Sequence, residues 1–167
     1  MNRLKFQDKT CCFTGHREVP DYMVKEIDEW VERTIIDLYC NYGVRFFGSG
    51  GAMGFDIIAA EAVLRVAEKY PEIKLIMVFP CPDHDAKWPQ RWRERLLYVS
   101  TQAAKIIYTS DRYYSDCMFV RNRHLVDHSK YCVAYLQRGN GGTAYTVAYA
   151  EKKWRRIVRF PDKISIL

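Results

Sequence analysis

Glycines that fall between apolar runs are the residues of this chain whose type and spacing can do chemistry. The stretch Gly48-Ser49-Gly50-Gly51-Ala52-Met53-Gly54-Phe55-Asp56 follows the apolar run Val44-Arg45-Phe46-Phe47 and precedes an alanine-rich segment, residues 57–68. Glycines between a strand and a helix let the backbone turn tightly and approach a ligand closely. The helix that follows then offers unpaired N–H groups and its positive dipole end to an anion. A second cluster, Gly139-Asn140-Gly141-Gly142-Thr143, follows another apolar run late in the chain. Two such loops point to a nucleotide or another phosphorylated ligand. Neither is a standard fingerprint, because the first does not space its glycines as G-x-G-x-x-G and no Gly-Lys-Ser/Thr follows either. The alternative is that the glycines only make tight turns.

The other polar residues of interest also follow apolar runs. Thr14-Gly15-His16-Arg17 follows the first of them. Gly15 permits close approach, Thr14 supplies a hydroxyl, and the Arg17 guanidinium suits a phosphate. Asp56 lies at a helix start, where it either satisfies the dipole or accepts from ribose hydroxyls. Trp88 and Trp92, spaced as on one helix face, either stack on a base or pack into the core. Residues 110–114 read as a polar, aromatic lid. Arg121, Asn122 and Asp127 fall on a later helix, and Thr143 is placed to cap the next.

The elements that must position these residues alternate along the chain. Strands are expected at 9–14, 44–47, 74–79, 105–108 and 131–136, with a last, edge strand at 157–160. Between them, apolar residues such as Val24, Ile27, Val31, Ile35 and Leu38 recur at three- and four-residue intervals, which predicts helices. The helices are expected at about 21–42, 55–69, 90–100, 116–128 and 143–153, with Pro20-Asp21 near the start of the first, Asn41-Tyr42-Gly43 at its end and Pro71 ending the second. This alternation predicts a single α/β domain over residues 1–167. Its architecture is a three-layer Rossmann-like open parallel sheet with helices on both faces. In such sheets ligands sit beyond the carboxyl ends of the strands, where the strand order reverses.

Composition narrows the class. With 49% apolar residues and 14% aromatics, a chain of 167 residues can bury a sizeable core. No apolar run is long enough to span a bilayer, and the first residues lack a signal peptide's apolar core, so a cytoplasmic protein without membrane association is expected. Six scattered cysteines without C-x-x-C read as reduced, mostly buried thiols. Cys81-x-x-His84 and His124-x-x-x-His128 match no familiar zinc spacing, and no metal is predicted. The net charge of +6 is uneven. Residues 87–95 and 151–163 are basic and could attract phosphates or nucleic acid; otherwise they are solvated faces.

Four segments together resemble a known family: Thr14-Gly15-His16-Arg17, Gly51-Ala52-Met53-Gly54-Phe55-Asp56, Arg121-Asn122 with Val126-Asp127, and Gly141-Gly142-Thr143. They are similar, in order and over essentially the whole chain, to the YpsA/YoqJ-like branch of the SLOG superfamily. That superfamily also contains the Smf/DprA DNA-processing proteins and the LOG phosphoribohydrolases. The resemblance implies a nucleotide or nucleotide-derived ligand, held by Thr14, Gly15, His16, Arg17, Gly48, Gly50, Gly51, Gly54, Asp56, Arg121, Asn122, Gly141, Gly142 and Thr143. It also implies a homodimer, and it leaves nucleic-acid binding of the DprA kind open. The LOG enzymes release a base from a nucleoside monophosphate with an arginine and a glutamate. The glutamate lies two or three residues beyond the loop threonine, where this chain has Tyr145 and Thr146. Arg121, Asp127 and Asp56 are then the remaining catalytic candidates for an N-glycosidase, and a binding module without an assigned reaction is the expectation that fits the missing glutamate.

Overall fold

The structure is a computed structural model and describes residues 3–164. Six strands, β1 (Thr10–Gly15), β2 (Phe46–Ser49), β3 (Lys74–Phe79), β4 (Lys105–Tyr108), β5 (Tyr131–Tyr135) and β6 (Arg156–Arg159), form one parallel sheet in the order β4-β3-β2-β1-β5-β6. The helices are α1 (Arg3–Asp8), α2 (Asp21–Tyr42), α3 (Phe55–Lys69), α4 (Gln90–Gln102), α5 (Cys117–Asp127) and α6 (Gly142–Lys152). Helices α2, α3 and α4 pack on one face, α5 and α6 on the other, giving the three-layer Rossmann-like arrangement.

Side chains alternate across the sheet, as the pleat of a strand requires. Cys11, Phe13, Phe47, Met77, Val133 and Tyr135 point into the larger core under α2 to α4. Cys12, Ile76, Val78 and Cys132 point into the smaller one with Leu125, Val126 and Ala150. The adjacent Cys11 and Cys12 therefore serve different cores, and all six cysteines are free thiols, with only Cys40 exposed. The periodic residues of α2 meet the larger core: Ile27, Trp30, Val31, Ile35 and Leu38 are buried. Gly43 ends this helix in the left-handed conformation, its N–H bonded to the Leu38 carbonyl.

Three expectations need correction. The short α1 is not among the expected helices; Phe6 anchors it, stacked on Phe46 at 4.5 Å between ring centroids, and Gln7 Nε2 donates to the Asp127 carbonyl. Strand β2 starts two residues later than the apolar run does, since the Lys9 carbonyl receives the N–H groups of Arg45 and Phe46 ahead of the ladder. Strand β4 is apolar in composition but is a sheet edge, and Ile106 and Tyr108 are exposed. No helix of the described residues is long and apolar enough to cross a membrane.

Candidate functional site

Strand order reverses between β1 and β5. The chain leaves β1 for a helix on one face and leaves β5 for a helix on the other, so the loops diverge and open a crevice between them. A cleft of about 300 Å³ occupies this position, the lower end of the size range of ligand pockets. Thr14, Gly15, His16 and Arg17 line it from the β1 side, and Gly141, Gly142 and Thr143 from the β5 side. Asp56, Arg121 and Asn122 complete the floor. Ten residues scattered from position 14 to position 143 are thus brought together.

The two sides are clamped by a neutral imidazole. His16 Nε2 accepts from the Gln137 N–H at 2.8 Å, which requires an unprotonated Nε2. Burial, and then the nearby Arg138 charge, hold the His16 pKa below its ordinary value, consistent with that bond. The ring also packs edge-on against Tyr135, with centroids 5.5 Å apart.

The floor holds two buried ionisable side chains, Asp56 and Arg121, on either side of a glycine. Arg121 is 3% exposed and donates to the carbonyls of Gly50 and Val78 and to Asn122 Oδ1. Asp56 is buried and accepts from the Ala52 N–H at 3.2 Å. A Cβ at Gly50 would stand 2.7 Å from Arg121 Cζ and 2.9 Å from Asp56 Oδ2, so only glycine leaves room for both side chains here. Burial pushes the Asp56 carboxyl up to about 6, although Arg121, the Ala52 N–H and Arg17 all favour its charged form. Burial likewise lowers the Arg121 pKa, opposed by Asp56. Arg121 is therefore held beneath the cleft, whereas Arg17 and Arg138 are solvent-exposed cations at its mouth.

The two glycine loops differ in what surrounds them. In the loop after β2, Ser49 Oγ donates to the Asp56 carbonyl and accepts from the Gly51 N–H. The first N–H of α3, that of Phe55, donates to the His16 carbonyl. The N-terminus of α3 is thereby covered by the β1–α2 loop, and a Cβ at Gly54 would lie 2.2 Å from the Arg17 carbonyl oxygen. Gly51 packs on Phe79, Leu96 and Met77, and Gly48 packs on Leu125 on the far face of the sheet. Gly48, Gly50, Gly51 and Gly54 consequently do not line the cleft; they brace the residues that do. The loop after β5 is the open one. Gly141, with φ +89°, precedes α6 without any side-chain cap. Thr143 is the second residue of that helix rather than its cap, because the helix already begins at Gly142.

Other expected residues lie elsewhere. Asp127 ends α5, where its Oδ1 accepts from the Tyr149 hydroxyl at 2.8 Å; it does not line the cleft. Residues 110–114 do not line it either. Trp88 precedes α4, so Trp88 and Trp92 do not share a helix face. In the basic segment 151–163, Arg155 donates to the Val126 and Lys153 carbonyls and Arg159 pairs with Glu151. Among the described residues no group of His, Cys, Asp and Glu side chains could hold a metal ion.

Sequence reasoning did not assign seven further residues of the lining: Phe13, Glu18, Ala52, Met118, Phe119, Arg138 and Asn140. Phe119 stacks edge-on against Tyr145, 4.7 Å between centroids, and places an aromatic ring at the cleft. Its position two residues before Arg121 on an amphipathic helix was the available signal, as was Arg138 directly before the second glycine loop.

A parallel sheet with a cleft at its switch point, two exposed arginines at the mouth and a helix start without a side-chain cap on one wall, defines a Rossmann-like α/β class of domain. The family model of YpsA, described as the YspA SLOG family, matches residues 12–160, and the chain belongs to that family. It is 30% identical over 121 residues to the SPbeta prophage-derived protein YoqJ of Bacillus subtilis (strain 168), covering 65% of this chain and 70% of YoqJ. It is 27% identical over 114 residues to a UPF0398 protein of Bacillus cereus (strain G9842), covering 66% of this chain and 62% of that protein. Two solved structures share the fold. DNA processing protein A (DprA) from Streptococcus pneumoniae superposes with a TM-score of 0.67 at 18% identity, over 97% of this chain and 53% of that one. DprA from Helicobacter pylori, whose structure is described for its single-stranded DNA binding mode, gives 0.66 at 21% identity, over 95% and 68%.

Proposed function

We propose that this protein binds a nucleotide unit in the cleft between β1 and β5, with the phosphate at the start of α6 and the base against Phe119. The observation that carries this reading is the convergence of an uncapped helix N-terminus with Arg17, Arg138 and the buried Arg121. The first N–H groups of α6 have no partners within the helix, and its dipole adds positive potential at the same point. Arg17 and Arg138 are exposed and can close on phosphate oxygens from either side. The fold similarity to a protein described for binding single-stranded DNA supports a phosphate-ester ligand. Calorimetric titration with a nucleoside monophosphate tests the reading. Binding should weaken by about tenfold in Arg17→Ala and again in Arg138→Ala, the size of one charge-assisted hydrogen bond. Affinities unchanged in both variants would remove the assignment.

A second reading rests on Asp56, the one aspartate that lines the cleft. A carboxyl held near 6 beside an arginine is the kind of group that can act in proton transfer or stabilise a ribosyl cation. On that reading the wild type releases free base from a nucleoside monophosphate and Asp56→Asn does not. Equal base release from both would dismiss it.

A further inference from the structure

We infer that the end of the sheet opposite the cleft docks on an anionic phospholipid bilayer, with the Trp154 indole at headgroup level and a row of cations against the lipid phosphates. This surface does not depend on what the cleft binds.

Every strand of the sheet is entered through a basic residue. In sheet order these are Lys105, Lys74, Arg45, Lys9, Lys130 and Arg156, each the first residue of its strand or the one before it. Backbone bonds join neighbours in the row. The Arg45 N–H donates to the Lys9 carbonyl, the Lys74 N–H to that of Arg45 and the Arg156 N–H to that of Lys130. At about 4.8 Å between strands, the row crosses roughly 24 Å. Helix C-termini arrive at the same end and favour cations. Arg45 and Arg155 meet that need, donating to the carbonyls of Tyr39 and Val44 and of Val126 and Lys153. Lys9, Lys74, Lys105 and Lys130 are instead exposed. Of the carboxylates near them, Glu72 pairs with Arg45 and Asp127 accepts from Tyr149. Asp8 and Glu68 are outnumbered by these lysines together with Lys152 and Lys153.

Trp154 stands two residues before β6 and is 92% exposed. It holds the position past a helix end where glycine is usual. Helix α6 ends at Lys152, Lys153 caps it, and Trp154 takes φ +59°. The Trp154 N–H donates to the Glu151 carbonyl and the Arg155 N–H to that of Ala150, the two bonds that close a helix in this way. A bulky residue at such a φ is an outlier, and an indole this exposed adds nothing to the core that would offset the strain. Lys152, Lys153, Arg155 and Arg156 flank it in the chain. An indole, apolar in body with one N–H donor, suits the boundary between water and acyl chains. Lysines and arginines beside it are drawn to anionic headgroups. The cations spread across the width of a sheet end, which matches a planar surface, whereas a single nucleic-acid strand calls for a groove leading it past stacked bases. Lack of a spanning run led to the expectation of no membrane association, but contact at the surface needs no such run.

The test is co-sedimentation and tryptophan emission of the full chain with vesicles of equal parts phosphatidylglycerol and phosphatidylcholine. The wild type should bind them with a blue shift in emission, bind less at high salt, and ignore vesicles of phosphatidylcholine alone. Trp154→Gly restores the usual residue at this turn, so its thermal unfolding midpoint should equal or exceed that of the wild type. Its vesicle affinity should nevertheless fall about tenfold, and the blue shift should vanish. Lys9→Gln and Lys130→Gln should each weaken binding about fivefold. No binding to the anionic vesicles, or equal binding to the neutral ones, would overturn the inference. So would a Trp154→Gly variant that binds as tightly as the wild type, or one with a lowered midpoint, which would make the indole structural. An equal blue shift with polyglutamate or with oligothymidylate would overturn it too, marking the surface as one for an acidic protein or a nucleic acid.

Discussion

At Gly50, Gly51 and Gly54 an added Cβ would stand 2.2–2.7 Å from its nearest neighbour, whereas at Gly139, Gly141 and Gly142 it would meet nothing within 4 Å. Both clusters join a strand to a helix, and both look alike as sequence. The first is packed on all sides by the Arg17 backbone, the Arg121–Asp56 pair and the side chains of Phe79, Leu96 and Met77. Its glycines exist because other groups of the protein occupy the space where side chains would go. The second borders the cleft, and its glycines face no other group of the described protein. Glycine spacing alone therefore does not distinguish a brace from a binding loop; what a Cβ would touch does.

The comparison can be broken most forcefully at Gly54. Gly54→Ala must adopt φ +82° with a Cβ against the Arg17 carbonyl. Strain and overpacking together should lower stability by about 4 kcal/mol. Urea unfolding checks this, and a loss under 1 kcal/mol would mean that the loop is not the brace described. The same clash makes substitutions at Gly51 poor probes of binding, since its Cβ would enter the core.

Asp56 gives the next effect, through pH. Its folded-state pKa of about 6 is raised from 3.8, so between these values the folded chain keeps a proton that the unfolded chain has released. Stability from this group therefore falls as pH rises from about 4 to about 6, by up to roughly 3 kcal/mol. Denaturant unfolding of wild type and Asp56→Asn at pH 4.5 and 7 isolates it from the other carboxylates. The variant should gain on the wild type as pH rises; a flat difference would mean that the carboxyl titrates normally. His16 acts in the opposite sense, because its lowered pKa makes its contribution fade as pH falls below the usual 6.5.

The smallest stability effect, and the sharpest contrast, belongs to Gly142→Ala. Its Cβ meets open space, so stability should change by less than about 0.5 kcal/mol. Nucleoside monophosphate affinity should nevertheless drop about fivefold as the methyl intrudes on the phosphate, the worth of one hydrogen bond. Unchanged affinity would make the second loop as structural as the first.

Much of this was legible in the sequence, and the limits have physical reasons. The alternation of apolar strands and amphipathic helices led directly to a parallel sheet with two helical layers, and the loops after β1 and β5 were identified as cleft residues. What periodicity does not carry is the direction in which a small residue faces. Gly48 turns toward Leu125 on the far face, although it directly precedes the loop that floors the cleft. Asp127 shares α5 with Arg121 yet serves Tyr149, because it lies at the C-terminal end of that helix. Phe119 and Arg138 carry no motif, and only the meeting of two loops distant in sequence makes them neighbours of one ligand site. Strand β4 is apolar in sequence like the central strands, and its edge position follows only from strand order.

One measurement tests the central contrast directly: the backbone amide chemical shifts of the isotope-labelled protein, recorded as a nucleoside monophosphate is added. The amides of Gly141, Gly142, Thr143 and Ala144, together with those of His16 and Arg17, should move with a single saturable affinity, and those of Gly48, Gly50 and Gly51 should stay nearly still. Large shifts confined to the loop after β2, with the loop after β5 silent, would contradict the account.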